Sequence, residues 1–129
     1  MRADLHIHSR HSSDSITGVE EIIQIASFLG LEVIAITDHN SLLGSLEATD
    51  LAEDILVLPA MEISSSKGHI LAYNLTEEVP KDLSPAETID RIHDAGGIAV
   101  ATPNNSRMLS GSEKYHFTLH DQAEEEWLD

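Results

Sequence analysis

The stretch from Leu31 to Thr37 sets Val33, Ile34, Ala35 and Ile36 side by side where a half-exposed strand would alternate apolar with polar residues. A strand apolar on both faces needs cover on both, which is what a parallel sheet in an α/β architecture supplies. The residues before it supply one cover. Val19, Ile22, Ile23, Ala26 and Leu29 recur at helical spacing, with Glu20, Glu21, Gln24 and Ser27 opposite, and Gly30 stands where a C′ glycine belongs. Thr17-Gly18-Val19-Glu20 reads as the capping box that starts this helix.

The same alternation runs along the chain. Leu5 to His8 reads as a first strand, followed by a Ser-rich loop over Ser9 to Ser15. Asp38-His39-Asn40-Ser41 is expected to open a second helix that reaches about Glu53. Ile55 to Ile63 reads as a strand, and only Ser64 to Gly68 separates it from another over His69 to Leu75. That gap is too short for a parallel crossover, so the pair is expected to be antiparallel or sharply bent, with Glu62 close to His69. Ser84-Pro85-Ala86-Glu87 is a second capping box with Pro at the first helical position, Gly96-Gly97 ends that helix, and Ile98 to Ala101 is the last clear strand. The order β, α, β, α, β, β, α, β predicts a layered or barrel α/β fold with functional groups at strand ends. Residues 1–103 form the expected core, and 104–129 a divergent tail of the same domain.

Composition narrows the function. With 129 residues the chain can bury one core, and 41% apolar with 23% charged residues is the make-up of a globular domain. Seven Lys and Arg against 23 Asp and Glu give a net charge of −16, a field that opposes a nucleic-acid backbone clamp or an anionic membrane surface. With no cysteine, thiolate zinc sites and thiol nucleophiles are excluded, so a metal must sit on His, Asp or Glu. A polar His cluster follows Met1-Arg2-Ala3-Asp4 directly, where a signal peptide would carry an apolar segment, and a cytoplasmic location is the expectation.

The chemistry-bearing residues gather at the strand ends. His6 and His8 are two apart and share one strand face, His39 follows the second strand, Glu62 ends the third, His69 begins the fourth and Asp14 lies in the loop after the first. Imidazoles and carboxylates buried without partners cost several kcal/mol, and a shared cation supplies that partner.

These residues resemble the polymerase and histidinol phosphatase (PHP) superfamily of metal-dependent phosphoesterases. The matching pieces are Asp4-Leu5-His6-Ile7-His8-Ser9, Ser12-Ser13-Asp14-Ser15, Ile36-Thr37-Asp38-His39-Asn40, Pro59-Ala60-Met61-Glu62-Ile63-Ser64 and Gly68-His69-Ile70-Leu71. The resemblance implies a partial or distorted (β/α)7 barrel that hydrolyses small-molecule phosphate esters. It further implies between one and three divalent cations, manganese, zinc or iron, on this chain's residues. His6, His8 and Glu62 would hold a first ion, Glu62 and His69 a second, and Asp14 and His39 a third. Asp4 and Asp38 match positions that support neighbouring imidazoles, whereas His11 and His93 fall on ordinary surface positions. Arg10 and Arg107 lie in loops expected on the metal rim and are the candidate phosphate clamps.

Two departures matter. Thr102 stands where the family usually carries a His before Pro103, and no Asp-x-His pair follows it. His116, His120 and Asp121 could replace that pair only by an unfamiliar route. The chain thus reads as part of such a barrel, and its open sheet edge invites a homo-oligomer or closure by a tail strand around Phe117. The alternative reading is a degenerate, non-catalytic metal-binding or assembly module, with an amidohydrolase-type metal hydrolase weaker still.

Overall fold

The computed structural model describes residues 1–102, in the order β1 (Ala3–Ile7), α1 (Val19–Phe28), β2 (Val33–Ile36), α2 (Leu43–Leu51), β3 (Leu56–Ser65), β4 (Gly68–Tyr73), α3 (Pro85–Asp94) and β5 (Ile98–Ala101). Arg107, His116, Phe117, His120, Asp121 and the expected tail lie outside the described residues. The five strands form one sheet in chain order. β1, β2 and β3 are parallel, β4 is antiparallel to β3, and β5 is antiparallel to β4. Among the described residues no helix is long and apolar enough to cross a membrane.

The sheet is curled into a half-barrel. Ala35, Ala60, Leu71, Tyr73 and Val100 pack together on the inner face with Leu58, and small residues there let the strands bend around a narrow interior. Tyr73 spans that interior, its phenol donating to the Leu5 carbonyl of β1 at 2.8 Å although β1 and β4 are not neighbours. Outside, α1 and α2 cover β2 through Val19, Ile22, Ala26, Ala48, Ile34 and Ile36. Ile92 of α3 packs on Met61, Ile63, Ile70 and Ala72 of the antiparallel pair. β2 is therefore apolar on both faces because both are buried.

The helix ends follow local chemistry. Gly30 adopts φ 75°, and the Gly30 and Leu31 N–H groups donate to the Ser27 and Ala26 carbonyls, closing α1 in a Schellman arrangement. Ser84 accepts the Glu87 N–H at 3.1 Å and starts α3 ahead of Pro85, so that cap forms as expected. The box expected at Thr17 does not form. Gly18 takes the N-cap position without a side-chain bond, because Thr17 belongs to the preceding loop, where its carbonyl accepts the Arg10 N–H at 2.7 Å.

The second helix also begins later than expected, at Leu43. Asp38 is buried beneath Ser9 and leaves the cap position. The Leu42 N–H is met instead by the Glu78 carboxylate at 2.9 Å, an acid placed at a helix N-terminus by the loop after β4. The short link between β3 and β4 is a hairpin, with Ser65 opposite Gly68.

Candidate metal centre

Strand alternation delivers the functional side chains to one rim. On β3, Leu58 and Ala60 face the interior, and Glu62 follows two positions later, inside the ladder and ahead of the strand's end at Ser65. β4 runs the other way, so its entry, His69, lies beside the exit of β3, with Ser64 paired to His69. His6 and His8 share the inward face at the end of β1, and His39 follows β2. The backbone between β2 and β3 is stitched at this level. The Glu62 N–H donates to the Asp38 carbonyl and the Asn40 N–H to the Glu62 carbonyl, each at 2.9 Å. Asn40, at φ 55°, exchanges side-chain bonds with Ser64 at 2.8 and 3.1 Å.

Glu62 is the hub of the side-chain cluster. Its Oε1 lies 3.1 Å from His6 Nε2, 3.0 Å from His8 Nε2 and 4.0 Å from His39 Nε2, and its Oε2 lies 3.3 Å from His69 Nδ1. Asp14 forms a second focus, 2.9 Å from His8 Nδ1 and 3.1 Å from His39 Nε2. The Ser12 hydroxyl, buried, donates to Asp14 at 2.6 Å and accepts the His39 N–H at 3.2 Å.

Asp38 is fully buried, and its carboxylate accepts both the N–H and the hydroxyl of Ser9 at 2.6 Å. It thus grips the residue after His8 instead of an imidazole, the partner expected for it, and joins the backbones that carry His8 and His39. Asp4 accepts the His6 N–H at 3.1 Å. The Arg10 guanidinium lies 3.8 Å from Glu47, which also lies 2.7 Å from His11. Thr102 is buried at the rim, but its hydroxyl donates to the His69 carbonyl at 2.8 Å. Ser9, Ser12 and Gly44 were not singled out by sequence. The two serines sit inside the quoted motifs, whereas Gly44 carries no sequence signal.

The cluster is strongly polarised. Burial acts to raise the Glu62 pKa, yet bonds from His6 and His8 overcome it and hold the carboxyl well below its usual range. Burial likewise opposes the charged form of Asp14, but Ser12 and then His8 hold it down to about 2. For His8, burial lowers the pKa, while Glu62 and then Asp14 outweigh it and raise it from 6.5 to about 9. The His8 contribution to metal-free stability is therefore full below 6.5 and lost as pH rises through about 9. The carboxylate contributions are present above the ordinary range of 3.8 to 4.5 and lost as pH falls through the depressed values.

A cation bound at His8 would have to displace its proton, so on that reading metal affinity is expected to rise with pH and level off at about 9. Calorimetric titration in buffers of differing ionisation enthalpy reads the released proton directly. An affinity flat from about pH 6 to pH 9 would contradict this coupling.

The donor set fits a divalent cation. Three groups, His6 with His8 and Glu62, His8 with Asp14 and His39, and His39 with Glu62 and His69, each bring ligand atoms within 4.8 Å of one another. Nitrogen and carboxylate oxygen without sulfur suit manganese, iron or zinc.

Known proteins resemble this chain. The PHP domain family model matches residues 4–128. An uncharacterised protein of Methanocaldococcus jannaschii is 39% identical over 113 residues, covering 78% of this chain and 66% of that protein. A phosphoribosyl 1,2-cyclic phosphate 1,2-diphosphodiesterase of Eggerthella lenta is 33% identical over 88 residues, covering 62% of this chain and 33% of that enzyme. The matches thus span just under two-thirds of the first relative's length and a third of the second's. A solved structure from Bifidobacterium adolescentis, of a protein inferred to be a metal-dependent phosphoesterase, superposes with a TM-score of 0.70. It covers 94% of this chain and 74% of its own at 18% identity, which shows a common fold. A family match over nearly the whole sequence, on a curled α/β sheet whose rim gathers four imidazoles and two carboxylates, makes this chain a member of the PHP domain family.

Proposed function

We propose that the protein is a metal-dependent phosphoesterase whose centre is built from His6, His8, Asp14, His39, Glu62 and His69. The observation that supports this most is Glu62, a buried carboxylate with imidazoles on both of its oxygens. Divalent cations held there would supply Lewis-acid polarisation of a phosphate ester and activation of a nucleophile at neutral pH. The chain's own residues set the geometry. Glu62 spans the His6–His8 side and the His69 side, Ser12 and Asp38 hold the loops that carry His8, Asp14 and His39, and Tyr73 keeps the half-barrel curled beneath them. Arg10 and Arg107 are the proposed phosphate grips. Arg10 is largely exposed and only loosely paired with Glu47, so exchange of that partner for a phosphate costs little.

The five described strands are read as part of a distorted (β/α)7 barrel in a cytoplasmic protein. A homo-oligomer through the sheet edge is part of the same reading. The Eggerthella relative acts on a cyclic phosphodiester, which makes diesters as well as monoesters suitable probes.

Purified protein loaded with manganese, zinc or iron is expected to hydrolyse p-nitrophenyl phosphate or its bis ester above background, to lose activity to a chelator and to regain it with metal. Thr102, engaged with the His69 carbonyl, favours the second reading of a non-catalytic metal-binding module. Stoichiometric metal with background turnover on both esters would decide for that module.

A further inference from the structure

Arg10, His11 and Glu47 form a cluster of charged and titratable side chains that the proposed metal ligands do not use. We infer that Arg10 and His11 make an anion subsite for the phosphate of the ester, and that Glu47 occupies it as an internal competitor until the ester displaces it. This rests on the phosphoesterase reading above. The packing of α2 brings Glu47 there. Gly44 lets the helix press against Ser9, where a Cβ would stand 2.7 Å from the hydroxyl. Glu47 lies three positions on, on the same side of the helix, and so meets the next two residues of the loop. Their backbone is pinned, since the Arg10 N–H donates to the Thr17 carbonyl at 2.7 Å and the His11 N–H to the Ser9 hydroxyl at 3.2 Å.

Both side chains converge on one atom, Glu47 Oε1, with His11 Nε2 at 2.7 Å and Arg10 Nη2 at 3.8 Å. An ionised carboxylate only accepts, so His11 Nε2 carries the proton of that bond. Two donors from consecutive residues thus already hold one anionic oxygen, and they hold it unequally. The His11 contact has hydrogen-bond length, whereas the Arg10 contact lies beyond it. A phosphate presents several anionic oxygens, so it can meet the imidazole with one and the guanidinium with another, which Glu47 does not do from its place on α2. On a chain of net charge −16 an anionic ester also needs such a local pair of donors to be held at all. The pair follows His8 by two and three positions and precedes Asp14 in the same loop, so the subsite adjoins the His8 and Asp14 side of the centre.

The test reads phosphate binding and does not depend on turnover. Inorganic phosphate is titrated calorimetrically into manganese-loaded protein freed of excess metal, with metal content measured for each variant. Arg10→Ala and His11→Ala should each weaken phosphate binding by about fivefold, and Glu47→Ala should tighten it by about threefold, all with the metal content of wild type. Opposite signs within one cluster are what a merely structural role would not give. In an Arg10→Ala, His11→Ala background, Glu47→Ala should bring no gain, because nothing is left to compete for. An equal gain in that background would mean that Glu47 acts only through its charge at a distance, and would overturn the inference. Weaker phosphate binding in all three single variants, or none of them differing from wild type, would overturn it too while leaving the phosphoesterase reading standing. Absence of bound metal in the wild type would overturn that reading, and the inference with it.

Discussion

Glu62→Gln is expected to weaken metal binding on both sides of the centre at once, by on the order of 100-fold or more, and to bring ester hydrolysis to background. Gln keeps the size of the side chain but removes the charge that faces His6 and His8 on one oxygen and His69 on the other. A side chain serving a single ion would, when neutralised, leave the other ion in place. Loss of both in one step is therefore the signature of the bridging position. The metal-free variant carries a second readout. Glu62 hydrogen bonding is the largest influence raising the His8 pKa, so the His8 titration should fall from about 9 toward its ordinary value, visible by NMR. Unchanged stoichiometry and affinity in Glu62→Gln would remove Glu62 from the centre altogether.

Gly44→Ala should destabilise the protein, against the usual sign of such a change. In a helix interior Ala is favoured over Gly by about 1 kcal/mol, and Gly44 lies within α2. Here a Cβ would overlap the Asp38 carboxylate and sit 2.7 Å from Ser9 Oγ and 3.0 Å from Ile36. None of these neighbours can yield freely. Asp38 and Ser9 are fully buried and bonded to each other, and Ile36 is in the sheet core. Overpacking of a tight site costs about 1–3 kcal/mol, and disturbing a charged hydrogen bond adds about 1.5–3 kcal/mol. A net loss near 3 kcal/mol, seen as a lower denaturation midpoint, is expected. Because Ser9 and Asp38 adjoin His8 and His39, metal affinity should drop with it. A variant more stable than wild type would show that α2 can move away from Asp38.

The residues that act along their own strand were readable in the sequence. His6 and His8 two apart, and Glu62 and His69 on the two arms of a short hairpin, are placed by a period of two and a tight turn, and both rules are local, although β3 runs on to Ser65, past its expected end near Glu62. Ser84 and Gly30 work the same way, each within one turn of its helix. What escaped were contacts between segments far apart in the chain. Asp38 looks like a helix cap, since nothing nearby in sequence signals that Ser9 will cover it. Glu78 caps α2 from 36 positions away, and Gly44 is required only because Asp38 and Ser9 already occupy the space beside it. Thr17 was misread for a related reason, as its carbonyl is taken by Arg10 in the loop.

The agreement between strand order in the sheet and strand order in the chain bears on how the protein acquires its structure. Every strand can be laid against the one synthesised just before it, so no pairing waits for a distant segment, and contacts of short sequence separation favour rapid folding. The proposed metal ligands obey a different schedule. His6 and His8 arrive with β1, His39 after β2, Glu62 with β3 and His69 only with β4. A chain folded as far as β2 already has a sheet and, in His8, Asp14 and His39, one of the three candidate ligand groups, whereas both groups that contain Glu62 still wait for β3. A cation taken up through Glu62 and His69 during refolding or synthesis would therefore report when β3 and β4 have docked.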